Sequence, residues 1–118
     1  KLKIKMKDHR KKFCFALDLK DDKEAIESYR LYHKNVWPEI LEQIKSTGVE
    51  VLEIYLVSNR LFMIMETSAE FTLKAKQQKD ATDPKVQEWE ALMSNYQQAL
   101  PFAKKGEKWV LMEQIFSL

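Results

Sequence analysis

The stretch VEVLEIYLVSNRLFMIMET, residues 49–67, decides the fold. Its halves, VEVLEIYLV and RLFMIMET, are rich in β-branched and large apolar residues at a period of two, the pattern of half-buried strands. Ser58 and Asn59 between them are turn residues, so the halves form a hairpin of neighbouring antiparallel strands. A strand sends successive side chains to opposite faces, which puts Leu52 and Ile54 on one side and Glu53 and Tyr55 on the other. The alternation leaves open which side meets the core.

Upstream, KFCFALDL alternates Phe13, Phe15, Leu17 and Leu19 with smaller or polar neighbours and reads as a further strand. DDKE then opens a helix, with Asp21 placed to cap free amides and Glu24 three residues on, as in a capping box. Ile26, Tyr29 and His33 mark its inner stripe. Pro38 disfavours helical geometry at Trp37, so that helix ends there and a second begins with the proline in its first turn. Ile40, Leu41 and Ile44 bury the second helix, and Gly48 closes it.

Downstream of the hairpin, a polar helix is expected from Ala69 to about Lys79, and Asp83 and Pro84 cap and begin another. Val86, Trp89, Leu92, Met93 and Tyr96 form the stripe of that last helix, and WVLMEQIF reads as a closing strand. The resulting βαββαβ order is the ferredoxin-like α+β arrangement, with helices on one face of an antiparallel sheet. Cys14, Ala16, Val51, Tyr55, Val57, Met63 and Met65 are too apolar to leave the second face solvated. That face is expected to close on a second copy or around a ligand, and two such sheets facing each other make a dimeric α/β barrel.

Composition restricts the function. The 118 residues suit one domain, and 45% hydrophobic with 32% charged residues is an ordinary globular balance. The net charge of +2 is carried by residues 1–12, KLKIKMKDHRKK, with seven basic side chains against one acidic; residues 13–118 hold 13 against 17. Residues 1–12 are therefore read as a basic tail, disordered or non-native, and 13–118 as the single folded domain. Its mild acidity argues against nucleic-acid binding. No apolar run approaches the roughly 18 residues of a membrane span, and no signal-peptide pattern is present, so a cytoplasmic home is expected. The single Cys14 reads as core filler. One histidine beyond the tail, with no carboxylate cluster at ligand spacing, predicts no metal site, and two glycines allow no phosphate loop.

SYRLYHKNVWPEI, residues 28–40, sets Tyr29, His33 and Trp37 four residues apart on one helix face. His33 is the natural acid/base candidate, because an imidazole exchanges protons in either direction near neutral pH. Tyr29 can hydrogen-bond it or a substrate. Trp37 and Trp89 offer flat apolar walls, and Glu53, Tyr55 and Glu66 are strand-borne polar groups suited to sugar hydroxyls or a second proton. Each has a structural alternative: His33 as a helix hydrogen-bonder, Trp37 as a plug of the helix junction, Trp89 as a core anchor.

YHKNVWPEI, then STG, EIYLVSNRLFMIME, DPKVQEWEALM and a closing EQIF together resemble the L-rhamnose mutarotase family of small dimeric α/β-barrel enzymes. The resemblance runs from Phe13 to Leu118. It implies a homodimeric aldose mutarotase without a cofactor, acting on a monosaccharide, with His33 similar to the family's proton-donating histidine, Tyr29 to the tyrosine one turn before it, and Trp89 to the sugar-stacking tryptophan. Rhamnose-type members have a tyrosine where this chain has Leu52 and a tryptophan where it has Glu90. Those departures point to L-fucose or another 6-deoxy sugar. On the residues alone, a cofactor-free monooxygenase and a non-enzymatic ligand-sensing dimer are the rivals, and sugar exchange that depends on His33 separates the mutarotase from both.

Overall fold

A computed structural model describes residues 10–118. The chain runs β1 (Lys11–Leu19), α1 (Lys23–Lys34), α2 (Pro38–Ser46), β2 (Val49–Val57), β3 (Arg60–Thr67), α3 (Leu73–Thr82), α4 (Pro84–Ser94), β4 (Gln97–Gln98) and β5 (Val110–Leu111). The strands form one sheet in the order β2-β3-β1-β4, antiparallel throughout, with β5 also paired to β1. This is the expected α+β ferredoxin-like order, its fourth strand divided between β4 and β5. Among the described residues no helix is long and apolar enough to cross a membrane.

The hairpin forms as its sequence dictates, with Ser58 at φ 56° in the turn. Its register pairs Leu52 with Met65 and Ile54 with Met63, and β1 pairs Phe13 and Phe15 with the same two methionines. Those side chains share the face that the helices cover. Met63 and Met65, expected on the open side, therefore belong to the covered one. Cys14, Ala16, Val51, Tyr55 and Val57 do lie on the open face, where Phe62 and Ile64 join them. Between helices and sheet, Leu19, Tyr29, Ile40, Leu61, Val86, Trp89 and Met93 form one core cluster, and Phe15, Val49, Met65 and Phe71 a second.

Several boundaries move. β1 begins two residues inside the stretch read as a tail, because Arg10 is held by Glu50 at 2.8 Å and Glu66 at 3.0 Å and the Lys11 ammonium donates to the Phe71 carbonyl at 2.8 Å. Residues 1–9 lie outside the described part. Asp22, not Asp21, caps α1 by accepting from the Ala25 amide at 3.0 Å, which leaves Glu24 one position short of a capping box. α3 starts at Leu73 rather than Ala69, where Thr72 accepts from the Ala75 amide at 3.1 Å. Before it the chain turns, the Phe71 amide donating to the Ser68 carbonyl, and Phe71 drops into the core. The break before Pro38 and the Asp83 cap of α4 stand as read.

The closing strand is far shorter than WVLMEQIF. β5 pairs β1 only at Val110 and Leu111, and after the Met112 amide donates to the Cys14 carbonyl at 2.8 Å the chain leaves the sheet. Ile115, Phe116 and Leu118 stand exposed, so the apolar alternation there has no face of this chain to bury against.

Gly48 links α2 to β2 at φ +100°, and an added Cβ would sit 3.1 Å from the Ser68 hydroxyl oxygen. Gly48→Ala is expected to cost about 1–2 kcal/mol of unfolding free energy in urea denaturation. An unchanged midpoint would contradict this reading of the turn.

Candidate active site

A cavity of about 650 Å³ opens between the helices and the covered face of the hairpin. Leu52, Ile54, Met63 and Met65 make its apolar floor, while Tyr29 and His33 of α1 and Trp89 of α4 stand in its wall. The i, i+4 spacing on α1 brings the rings of Tyr29 and His33 to 4.4 Å between centroids. Trp89 meets His33 edge-on at 5.6 Å. It is supported from behind by Trp37 at 5.1 Å, whose own ring is overlaid by the Lys85 ammonium at 5.5 Å.

His33 Nδ1 lies 2.8 Å from the Tyr29 carbonyl oxygen. A carbonyl only accepts, so Nδ1 carries the proton and, in the neutral ring, Nε2 is left bare. Burial lowers the His33 pKa below the ordinary 6.5, only partly opposed by that hydrogen bond. The ring is therefore neutral at pH 7, with a free base on Nε2. Burial pushes the Tyr29 phenol above its ordinary 10.0, although an amide hydrogen bond from Gln97 Nε2 to Tyr29 Oη at 3.4 Å works the other way. Tyr29 thus keeps its proton and receives a bond at its oxygen, leaving its own O–H available to donate. One wall of the cavity accordingly presents a base and an acid side by side.

Of the residues singled out in the sequence, Tyr29, His33 and Trp89 come together here. Trp37 braces Trp89 from outside the lining. Tyr55, Glu53 and Glu66 project from the opposite face of the sheet: the Tyr55 hydroxyl donates to Glu53 at 3.3 Å, and Glu66 accepts from Arg10. The cause is parity, since Leu52 and Ile54 take the covered face and their neighbours must take the other. The cavity also holds groups the sequence did not single out, Gln43, Lys76, Asp80, Gln97 and Lys108, together with Glu90, which appeared there only as a departure. They are ordinary surface-type residues spread over five stretches of chain, and no local pattern marks them. Gln97 Oε1 is buried without a hydrogen-bond partner among the described residues.

The family profile described as L-rhamnose mutarotase matches residues 12–118. A protein of Xanthomonas campestris named L-fucose mutarotase is 40% identical over 109 residues, which cover 91% of this chain and 87% of that one. A UPF0734 protein of Dictyostelium discoideum is 41% identical over 112 residues, 92% of this chain and 90% of its own. In fold, the chain is similar to the crystal structure of L-rhamnose mutarotase from Formosa agariphila at a TM-score of 0.69 and 21% identity, over 92% of this chain and 98% of that one.

The depressed His33 pKa carries a stability consequence. The unfolded imidazole takes a proton near 6.5, the folded one only at lower pH, so between the two values unfolding takes up a proton. The His33 contribution is complete above 6.5 and is lost as pH falls through the folded pKa. Urea denaturation at pH 7.5 and pH 5.0 is expected to show a smaller loss of stability in His33→Gln than in the parent. Equal losses would contradict the buried neutral ring.

Proposed function

This chain belongs to the L-rhamnose mutarotase family, and on that premise we propose that it interconverts the α and β anomers of a 6-deoxy sugar, L-fucose ahead of L-rhamnose, as a homodimer. The observation that carries the reading is the paired base and acid, His33 Nε2 and the Tyr29 hydroxyl, on one wall of a cavity with an apolar floor. Mutarotation needs one proton removed and one supplied, and nothing else. His33 Nε2 takes the proton of the anomeric hydroxyl while Tyr29 protonates the ring oxygen. The bond between C1 and the ring oxygen breaks, giving the open aldehyde. After rotation about C1–C2 the same oxygen attacks the other face of the carbonyl, the imidazolium returns its proton to the new anomeric oxygen, and the phenolate recovers its own. Both residues end as they began.

Trp89 supplies the flat wall for the C–H face of the pyranose. The floor of Leu52, Ile54, Met63 and Met65 suits a C6 methyl better than the hydroxymethyl of glucose. L-Fucose is placed first because the Xanthomonas campestris relative bears that name. The second copy is supported by the open sheet face and by the end of the chain: Val57, Ile115 and Phe116 are 73%, 89% and 76% exposed, an apolar surface that facing sheets would cover.

Proton NMR saturation exchange between the anomeric signals of L-fucose, L-rhamnose and D-glucose tests the proposal. The 6-deoxy sugars are expected to exchange faster with the protein present, and His33→Ala, still dimeric by sedimentation, is expected to lose about 10²-fold or more of that acceleration. No acceleration for any sugar, or full acceleration in the variant, would overturn it.

A further inference from the structure

Gln97 touches the proton chemistry without being one of its two reacting groups. It opens β4 shortly after α4, and its register partner is Leu19 at the end of β1. Paired residues of an antiparallel ladder point to one face, and Leu19 is buried under the helices, so Gln97 is sent the same way, into the cavity wall. There its Nε2 donates to Tyr29 Oη at 3.4 Å. The other end of the same amide, Oε1, is buried and has no hydrogen-bond partner among the described residues. A methionine would fill that space at similar length and leave no polar atom unpaired, so packing alone does not call for an amide here.

We propose that Gln97 is a positioning residue for the acid of the reaction: its amide N–H holds the Tyr29 oxygen and steadies the negative charge that appears there once the phenol has given its proton to the ring oxygen of the sugar. The inference rests on the mutarotase reading of the cavity. Tyr29 shares its core cluster with Leu19, Ile40, Leu61, Val86, Trp89 and Met93, none of which can carry a charge. The phenols of Tyr32 and Tyr96 pack against that cluster, and His33 lies against the Tyr29 ring at 4.4 Å. The charged side chains that line the cavity elsewhere, Lys76, Asp80, Glu90 and Lys108, make no hydrogen bond to the Tyr29 hydroxyl among the described residues. Burial therefore works against the phenolate, and the Gln97 bond is what opposes it. A neutral phenol is a weak acceptor, which suits a bond as long as 3.4 Å; on a phenolate the same bond becomes charge-assisted and shortens. The donor is in place before the charge develops, so little rearrangement is needed when it does. The end of the amide that faces the phenol matters as well. An Oε1 in that position would take the phenol's own hydrogen and hold back the acid, whereas Nε2 leaves that hydrogen free for the sugar.

The test compares the full chain with Gln97→Met, which keeps the length, and Gln97→Glu, which keeps the shape and, once ionised, has no hydrogen to donate. Fluorotyrosine is incorporated in each, and the Tyr29 signal, assigned by its loss in Tyr29→Phe, is titrated by fluorine-19 NMR without sugar. Tyr29 is expected to titrate at higher pH in Gln97→Met than in the parent, and higher again in Gln97→Glu, where a like charge faces the phenolate. Gln97→Met is expected to match or exceed the urea midpoint of the parent. In anomer exchange it is expected to lose about tenfold or more in kcat with KM unchanged, the mark of a bond to a charge present only as the ring opens. An unmoved Tyr29 titration in the variants overturns the proposal, and so does a raised titration with full turnover. A lower urea midpoint with an unmoved titration makes the amide a structural bond and overturns it too. No exchange in the parent removes the mutarotase reading, and with it any part of Gln97 in turnover. The titration then decides by itself whether the amide steadies the Tyr29 anion, a rise supporting this and an unmoved value overturning it.

Discussion

The 2.8 Å hydrogen bond from His33 Nδ1 to the Tyr29 carbonyl is the constraint on which the site depends. A backbone carbonyl has two lone pairs, so Tyr29 serves the helix ladder and the imidazole together. The bond fixes the tautomer, leaves Nε2 unprotonated and holds the ring against the Tyr29 phenol in the cavity wall. An exposed imidazole would rotate and would be partly protonated at neutral pH. Here the geometry selects the proton position and burial selects the charge. Because both groups sit on one helix, one turn apart, the acid and base are set by a single element rather than by the docking of two.

The rest of the fold gives that helix something to face. α1 packs on the sheet through Ala25 and Tyr29, α4 through Val86, Trp89 and Met93, and the hairpin supplies the floor between them. The break at Trp37 and Pro38 lets α2 change direction and places Trp37 behind Trp89. Trp89 is thus held from both sides, with Tyr32 against its edge at 6.3 Å. A ring so confined keeps its orientation in the cavity wall.

Much of this was legible in the sequence, for local reasons. Period two gave the hairpin, Asp83 and Pro84 gave the start of α4, and the four-residue spacing of Tyr29 and His33 gave the ring pair of the cavity wall. Facing was not legible, because alternation defines two sides without saying which is inside. That is why Glu53, Tyr55 and Glu66 read as site residues and stand on the far face, and why Met63 and Met65 read as open and are covered. The Asp21 and Asp22 pair shows the same limit at one residue's scale, since either carboxylate fits a cap and only the turn geometry chooses. WVLMEQIF read as a full strand because its pattern is that of a strand, yet a strand needs a neighbour and this chain offers one for Val110 and Leu111 alone. Gln43, Gln97 and Lys108 were silent because they meet only by convergence from separate elements.

The central claim is that His33 waits as a neutral base with its proton on Nδ1. Nitrogen-15 NMR of imidazole-labelled protein at pH 7, with the His33 signals assigned by their loss in His33→Gln, reads this directly. A protonated Nδ1 beside a bare Nε2 is the predicted result. A proton on Nε2, or a doubly protonated ring at that pH, would contradict the account at its base.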